Sequence, residues 1–331
     1  MPDFFPQDNP LNNWRNERPA ALIEHWRSAV ERDAASAYQY INDPQLDYPA
    51  LFLLRDQLDV RGADLNPRVR IALSHVQNVL HGADNGLETT ASLTDQHDQV
   101  VNALKWVLSS GWKHILSTDY TQTIDQTAIQ LLNTYHSGVL KQMTDLIVYR
   151  YKNKSQRHYL ISAWLETADP RLLVHLANYL LSDQNVEQTF ARRMLGFIPE
   201  VRHAADQQTA FLSFETWYET NSPYLIYTGE TNDVLPGGKP FRIHYSAKYL
   251  GKTVDPKSGE PIQCLIAKEK TNYQQFIRLP LRMQIHLSIF SARLRQQQPI
   301  VWRHWICQPL AHQLASSGSR VEGGTANDYH G

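Results

Sequence analysis

Residues 156–202 read QRHYLISAWLETADPRLLVHLANYLLSDQNVEQTFARRMLGFIPEVR. Within them Tyr159, Leu160, Ala163 and Trp164 fall at three- and four-residue intervals. So do Leu172, Leu173, Leu176, Ala177, Leu180 and Leu181, and then Val186, Phe190, Met194 and Leu195. That is the period of amphipathic helices, and the runs are parted by short polar breaks, Ala168-Asp169-Pro170 and Ser182-Asp183-Gln184-Asn185. The segment predicts three helices joined by tight turns, an arrangement that buries apolar faces by stacking helix on helix.

The same period extends upstream. Ala21, Leu22, His25, Trp26, Ala29 and Val30 predict a helix from Pro19 toward Tyr40, and Leu51, Leu54 and Leu58 predict one after Tyr48-Pro49. Asn66 before Pro67 marks a helix start, with Val69, Leu73, Val76 and Leu80 as its stripe and His81-Gly82 as its stop. After a polar loop over 82–95, helices are predicted from Thr94 to Gly111 and from about Thr121 to Arg150, the second with Gly138 as an interruption. The β-branched residues here keep helical spacing and not alternation, so no strand is predicted in the first 200 residues.

Downstream, Phe211, Phe214, Trp217 and Tyr218 lie at helical spacing and predict an aromatic helix face. Phe241–Tyr245 and Tyr249–Val254 read as two short strands of a β-hairpin, with Asp255–Pro261 as a turn. Helix resumes near Thr271, is bent or restarted at Pro280, and carries Leu281, Ile285, Ile289 and Ala292 as a stripe. A last helix holds Ile300, Trp302, Trp305, Ile306 and Leu310. The expected fold is therefore mainly α: a multi-helical bundle or α-solenoid-like array with a small β-hairpin in the C-terminal third. Four regions are expected: an extended N-terminal arm over 1–18, a helical domain over 19–228, a basic C-terminal region over 229–315 with the hairpin and two or three helices, and a flexible tail over 316–331.

With Asp169-Pro170-Arg171 opening its second helix, an aspartate-containing turn at Asp183 and a base-containing helix at Arg192-Arg193, the stretch 156–202 resembles a HEAT repeat. Asn66-Pro67-Arg68 shares the opening of cap, proline and arginine, and Leu73 and Leu176 follow at matching positions. Two occurrences do not set a period, so a non-repeating bundle stands beside the repeat reading. The resemblance implies a scaffold that binds proteins.

The 331 residues are 42% hydrophobic and 20% charged, an ordinary globular composition that excludes whole-chain disorder, collagen-like repeats and low complexity. Two cysteines, Cys264 and Cys307, exclude a disulfide framework and read as small buried thiols. No window approaches the roughly 18 apolar residues of a membrane-spanning helix, and the start lacks a secretory pattern, so the expected location is cytoplasmic.

The net charge of −1 conceals a division. Residues 236–315 hold twelve bases and three acids, a net +9, whereas residues 1–235 carry −9. Such asymmetry points to a polyanionic partner, unless the two parts neutralise one another within the chain. Arg242, Lys248, Lys252, Arg278, Arg282, Arg293, Arg295 and Arg303 are the candidates for polyanion or partner contact, and Trp217, Tyr218 and Tyr224 for aromatic contact.

Catalytic signatures are not found. There is no HExxH, no histidine pair at i, i+4 around an acid, and no GxSxG elbow. Gly237-Gly238-Lys239 is followed by Pro240 and lacks the P-loop spacing. No catalytic residue, metal ligand or cofactor is assigned. The leading expectation is a non-catalytic helical scaffold or subunit that binds other proteins in an assembly. The alternative is a nucleic-acid-associated protein using 236–315 for phosphate contacts, and the third reading is an enzyme without a local motif. Oligomeric state is not legible.

Overall fold

The computed structural model describes residues 9–60, 64–82, 94–135, 138–231 and 237–318. Among them are eighteen α-helices and one two-stranded antiparallel sheet, so the chain is mainly α with a small hairpin in its C-terminal third. It forms two compact units, Met1–Trp164 and Leu165–Gly331.

The first unit contains α1 (Pro10–Glu17), α2 (Pro19–Arg32), α3 (Ala34–Asn42), α4 (Tyr48–Leu54), α5 (Pro67–His81), α6 (Thr94–Gly111), α7 (Thr118–Asn133) and α8 (Leu140–Lys152). The division falls within α9 (His158–Glu166). Residues 10–17 of the expected extended arm are helical: Asn9 accepts from the Leu11 amide at 2.9 Å, Pro10 takes the first helical position, and Leu11 is fully buried. The remainder of that arm, 1–8, lies outside the described residues, as do most of the 82–95 loop and the tail beyond 318. Asp33 divides the helix expected from Pro19 to Tyr40, because its carboxylate accepts from the Ser36 amide at 3.2 Å and caps α3.

The core of this unit gathers Tyr48, Phe52, Trp106 and Tyr120, with Tyr48 stacked on Tyr120 at 5.7 Å. Gly111 ends α6 against that cluster; a Cβ there would stand 2.6 Å from Ile124 and 2.8 Å from the Tyr120 hydroxyl. Two polar groups are built into the interior. His75 meets the Thr127 hydroxyl at 2.8 Å, and burial holds its pKa down at about 4, so it is neutral. Arg150, fully buried, is held by Asp125 at 2.9 Å.

The second unit contains α10 (Arg171–Ala177), α11 (Asn185–Leu195), α12 (Pro199–Arg202) and α13 (Gln207–Asn221), then β1 (Leu225–Tyr227) and β2 (Phe241–Ile243). It ends with α14 (Tyr245–Leu250), α15 (Ala267–Phe276), α16 (Leu281–Gln297), α17 (Pro299–Trp305) and α18 (Leu310–Ser316). β2 pairs with β1, Ile226 standing opposite Arg242, and not with the strand expected at Tyr249–Val254. Those residues instead begin inside α14. His244 accepts from the Ala247 amide at 3.1 Å and starts the helix, and Gly251, in the left-handed region at φ +64°, ends it. Tyr245 and Tyr249 are thus one helical turn apart, and only Val254 makes a bridge, to Pro261. The expected boundary between the helical domain and the basic C-terminal region, at 228/229, falls within the connection from β1 to β2.

The last five helices enclose a core of Tyr249, Leu250, Phe276, Leu287, Trp305, Ile306, Leu310 and Leu314, in which Tyr249 stacks on Phe276 at 4.4 Å. α14 packs on α16, whose buried residues are Leu287 and the small Ser288 and Ser291, and the Ser291 hydroxyl donates to the Tyr249 carbonyl at 2.6 Å. Of the stripe expected from Leu281, Ile285, Ile289 and Ala292, Leu281 and Ile289 are exposed and Ile285 and Ala292 half-buried, and of the two cysteines expected to be buried Cys264 is exposed and Cys307 half-buried.

Candidate functional site

The basic residues named from the sequence separate into an inner and an outer set, and α14 decides the separation. Its hydrogen-bonded start at His244 and its stop at Gly251 fix a short helix with Ser246, Ala247, Lys248, Tyr249 and Leu250 all buried. Lys248 is only 4% exposed, and its ammonium donates to the Asn221 Oδ1 at 2.6 Å. Asn221 is oriented in turn by donating from its amide nitrogen to the Trp217 carbonyl at 2.7 Å. Burial lowers the Lys248 pKa to about 8; Arg295 pushes in the same direction and Glu200 opposes.

Arg295 reaches α14 from the far end of α16. Its guanidinium lies 5.7 Å from the ring centres of both Tyr224 and Trp302 and donates to the Tyr224 hydroxyl. Trp302 is fixed by its indole N–H, which donates to the Ser291 hydroxyl at 2.8 Å. Gly251 leaves room for this arrangement: a Cβ there would collide with Arg295. Lys248, Arg295 and Tyr224, distant in sequence, are therefore one cluster, and its contacts are internal. Lys252 belongs with them, since it pairs with the buried Glu269 at 3.2 Å.

The outer set is different. Between Ile262 and Gly318 Glu269 is the only carboxylate in the sequence, and the structure buries it. Lys268, Lys270 and Arg278 on and beside α15, Arg282 and Arg293 on α16, and Arg303 on α17 are all exposed, and none meets a carboxylate among the described residues. Aliphatic side chains are interleaved with them. Ile277, Leu281, Ile289 and Val301 are exposed, and Ile300, at the start of α17, is 73% exposed. No phenylalanine, tyrosine or tryptophan of 262–318 is exposed: Phe276 and Trp305 are buried, and Tyr273, Phe290 and Trp302 are half-buried against the core, whereas His286, His304 and His312 are exposed.

The other candidates lie apart from this surface. Arg242 is exposed on β2. Trp217 and Tyr218 are half-buried on α13, the first edge-on to Phe197 at 6.0 Å and the second stacked on Phe214 at 5.5 Å. Tyr224 is buried. Sequence reasoning missed Asn221 and Glu269, the internal partners of the two inward lysines, and the exposed aliphatic residues among the bases. The signal for the last was present in α16, where Ser288 and Ser291 share a face and offer a closer approach than the bulkier residues opposite.

Among the described residues no group of three or more histidine, cysteine or acidic side chains could hold a metal, and no helix is long and apolar enough to cross a membrane. Comparison with family models, with curated proteins and with solved structures gives no match for the chain.

Proposed function

We propose that the protein is a non-catalytic binding subunit whose carboxylate-free face on α15, α16 and α17 takes an acidic protein partner that also presents apolar side chains. One observation carries the reading: exposed arginines and lysines alternate with exposed aliphatic side chains over 262–303, with no exposed carboxylate between them. Bases at this density attract and orient an anionic surface, and the aliphatic residues supply area whose burial favours association. The HEAT-like stretch at 156–202 supports the same class of function, as an analogy of fold.

A nucleic-acid partner is the second reading, favoured by the excess of bases alone. It accounts less well for Ile277, Leu281 and Ile300, which would face phosphates, and the tyrosine, phenylalanine and tryptophan rings that stack best on bases are turned toward the core.

The test is affinity purification of the full chain at low salt, with and without nuclease, beside an Arg278→Glu/Arg303→Glu variant. Proteins that stay bound after nuclease and are lost from the variant are the expected result. Partners that vanish with nuclease, or nucleic acid recovered alone, would replace this reading by the second.

A further inference from the structure

α13 and α16 each expose a stripe of four side chains. On α13 these are Gln208, Leu212, Glu215 and Glu219; on α16 they are Arg282, His286, Ile289 and Arg293. Both stripes step by four, three and four residues, so each keeps to one side of its helix, over a length of about 16 Å at ~1.5 Å per residue. Their contents match along the whole stripe in one direction only, since the parallel register keeps just Glu219 against Arg293. Laid antiparallel, Glu219 meets Arg282, Glu215 meets His286, Leu212 meets Ile289 and Gln208 meets Arg293. Laid parallel, Glu215 would meet Ile289 and Leu212 would meet His286.

We propose that these two stripes are the halves of a self-association interface, in which α13 of one copy lies antiparallel on α16 of a second copy of this chain. The inference rests on reading the α15–α17 face as a docking surface and names an occupant for its α16 part. The pairing is available between copies because both stripes are exposed: Leu212 is 52% and Ile289 45% accessible, and neither Glu215, Glu219, Arg282 nor Arg293 is ion-paired among the described residues. A net charge of −1 adds little mean repulsion between copies, so local complementarity governs their approach. The contact joins different patches, and it therefore closes as a two-fold pair containing it twice or continues head to tail. One helix pair lies below the roughly 1,200 Å² of stable interfaces, which makes the association weak and dependent on concentration.

Sedimentation equilibrium of the purified full chain tests this, with Glu219→Lys and Arg282→Glu as single variants. The expected result is a mean mass above that of the monomer, rising with concentration at about 50 mM salt and falling to the monomer at about 500 mM. Each variant alone is monomeric, and an equal mixture of the two regains association, because each supplies the charge that the other has reversed. Recovery on mixing also shows that both variants are folded. A monomer at every concentration, association indifferent to both variants, or no recovery on mixing would overturn the proposal. None of these outcomes bears on partner capture, whose variants reverse Arg278 and Arg303 and leave both stripes intact.

Discussion

Lys248 holds an ammonium in the interior against one amide oxygen, with Arg295 as a neighbouring positive charge. Its folded pKa of about 8 lies below that of the unfolded chain. Between the two values the unfolded state binds the extra proton, so stability rises with pH from about 8 upward. Burial raises the pKa values of Tyr120 and Tyr249, which favours the folded state losing stability above pH ~10, so the rise is read between 8 and 10. Chemical denaturation across that window should show the stability of the unaltered chain climbing relative to Lys248→Met by one to two kcal/mol, on the order of 1.4 kcal/mol per unit. A constant difference would exclude the mechanism, since the amide oxygen orphaned by methionine adds only a pH-independent offset. At Gly251 two effects combine, the left-handed backbone and the guanidinium beside it. Gly251→Ala is expected to destabilise by roughly 2–4 kcal/mol, against about 1 kcal/mol for Gly229→Ala, where φ is +82° but the space is open, both read from denaturation midpoints.

α5 shows what a sequence states outright. Asn66 caps it by accepting from the Val69 amide at 2.9 Å, Pro67 begins it, and Gly82 at φ +78° ends it, all three being local chemical signals. Asn66 also donates to the Asn42 carbonyl at 3.0 Å, so Asn66→Ala should lower stability in urea by about 1–2 kcal/mol, and Asn66→Asp, which keeps the cap, by less. Elements set by tertiary contact were not legible. The stretch of α1 reads as an arm because eight residues are too few to show a period, and the burial of Asn9 and Leu11 reveals its purpose. Tyr249 and Leu250 have strand-forming and apolar character and so read as the partner of β2, whereas the cap at His244 and the stop at Gly251 make them helical. The candidate bases could be named from composition, but their division could not: Lys248 faces Asn221, 27 residues earlier, and Arg295 faces Tyr224, 71 residues earlier.

For the whole molecule, the near-zero net charge is the sum of strongly unlike regions, with the basic excess confined to 236–315. The structure leaves the outer bases of α15, α16 and α17 without internal carboxylate partners among the described residues, so this excess faces solvent. With an isoelectric point of about 6.9, the protein should be least soluble near pH 7 at low ionic strength and should clear as salt screens the attraction, at a few hundred mM. Light scattering against salt at fixed protein concentration checks this, and turbidity that grows with salt would point to apolar contacts instead. The close approach at Gly251 has a further consequence, historical in kind. The Arg295 guanidinium occupies the volume that any larger residue at 251 would need, so the two positions are coupled. A lineage that shortens residue 295 first meets only the left-handed backbone when it replaces the glycine; one that replaces the glycine first must also displace the guanidinium from Tyr224 and Trp302. Among descendants of this sequence, substitutions at 251 should therefore be found more often on backgrounds that have already lost the arginine.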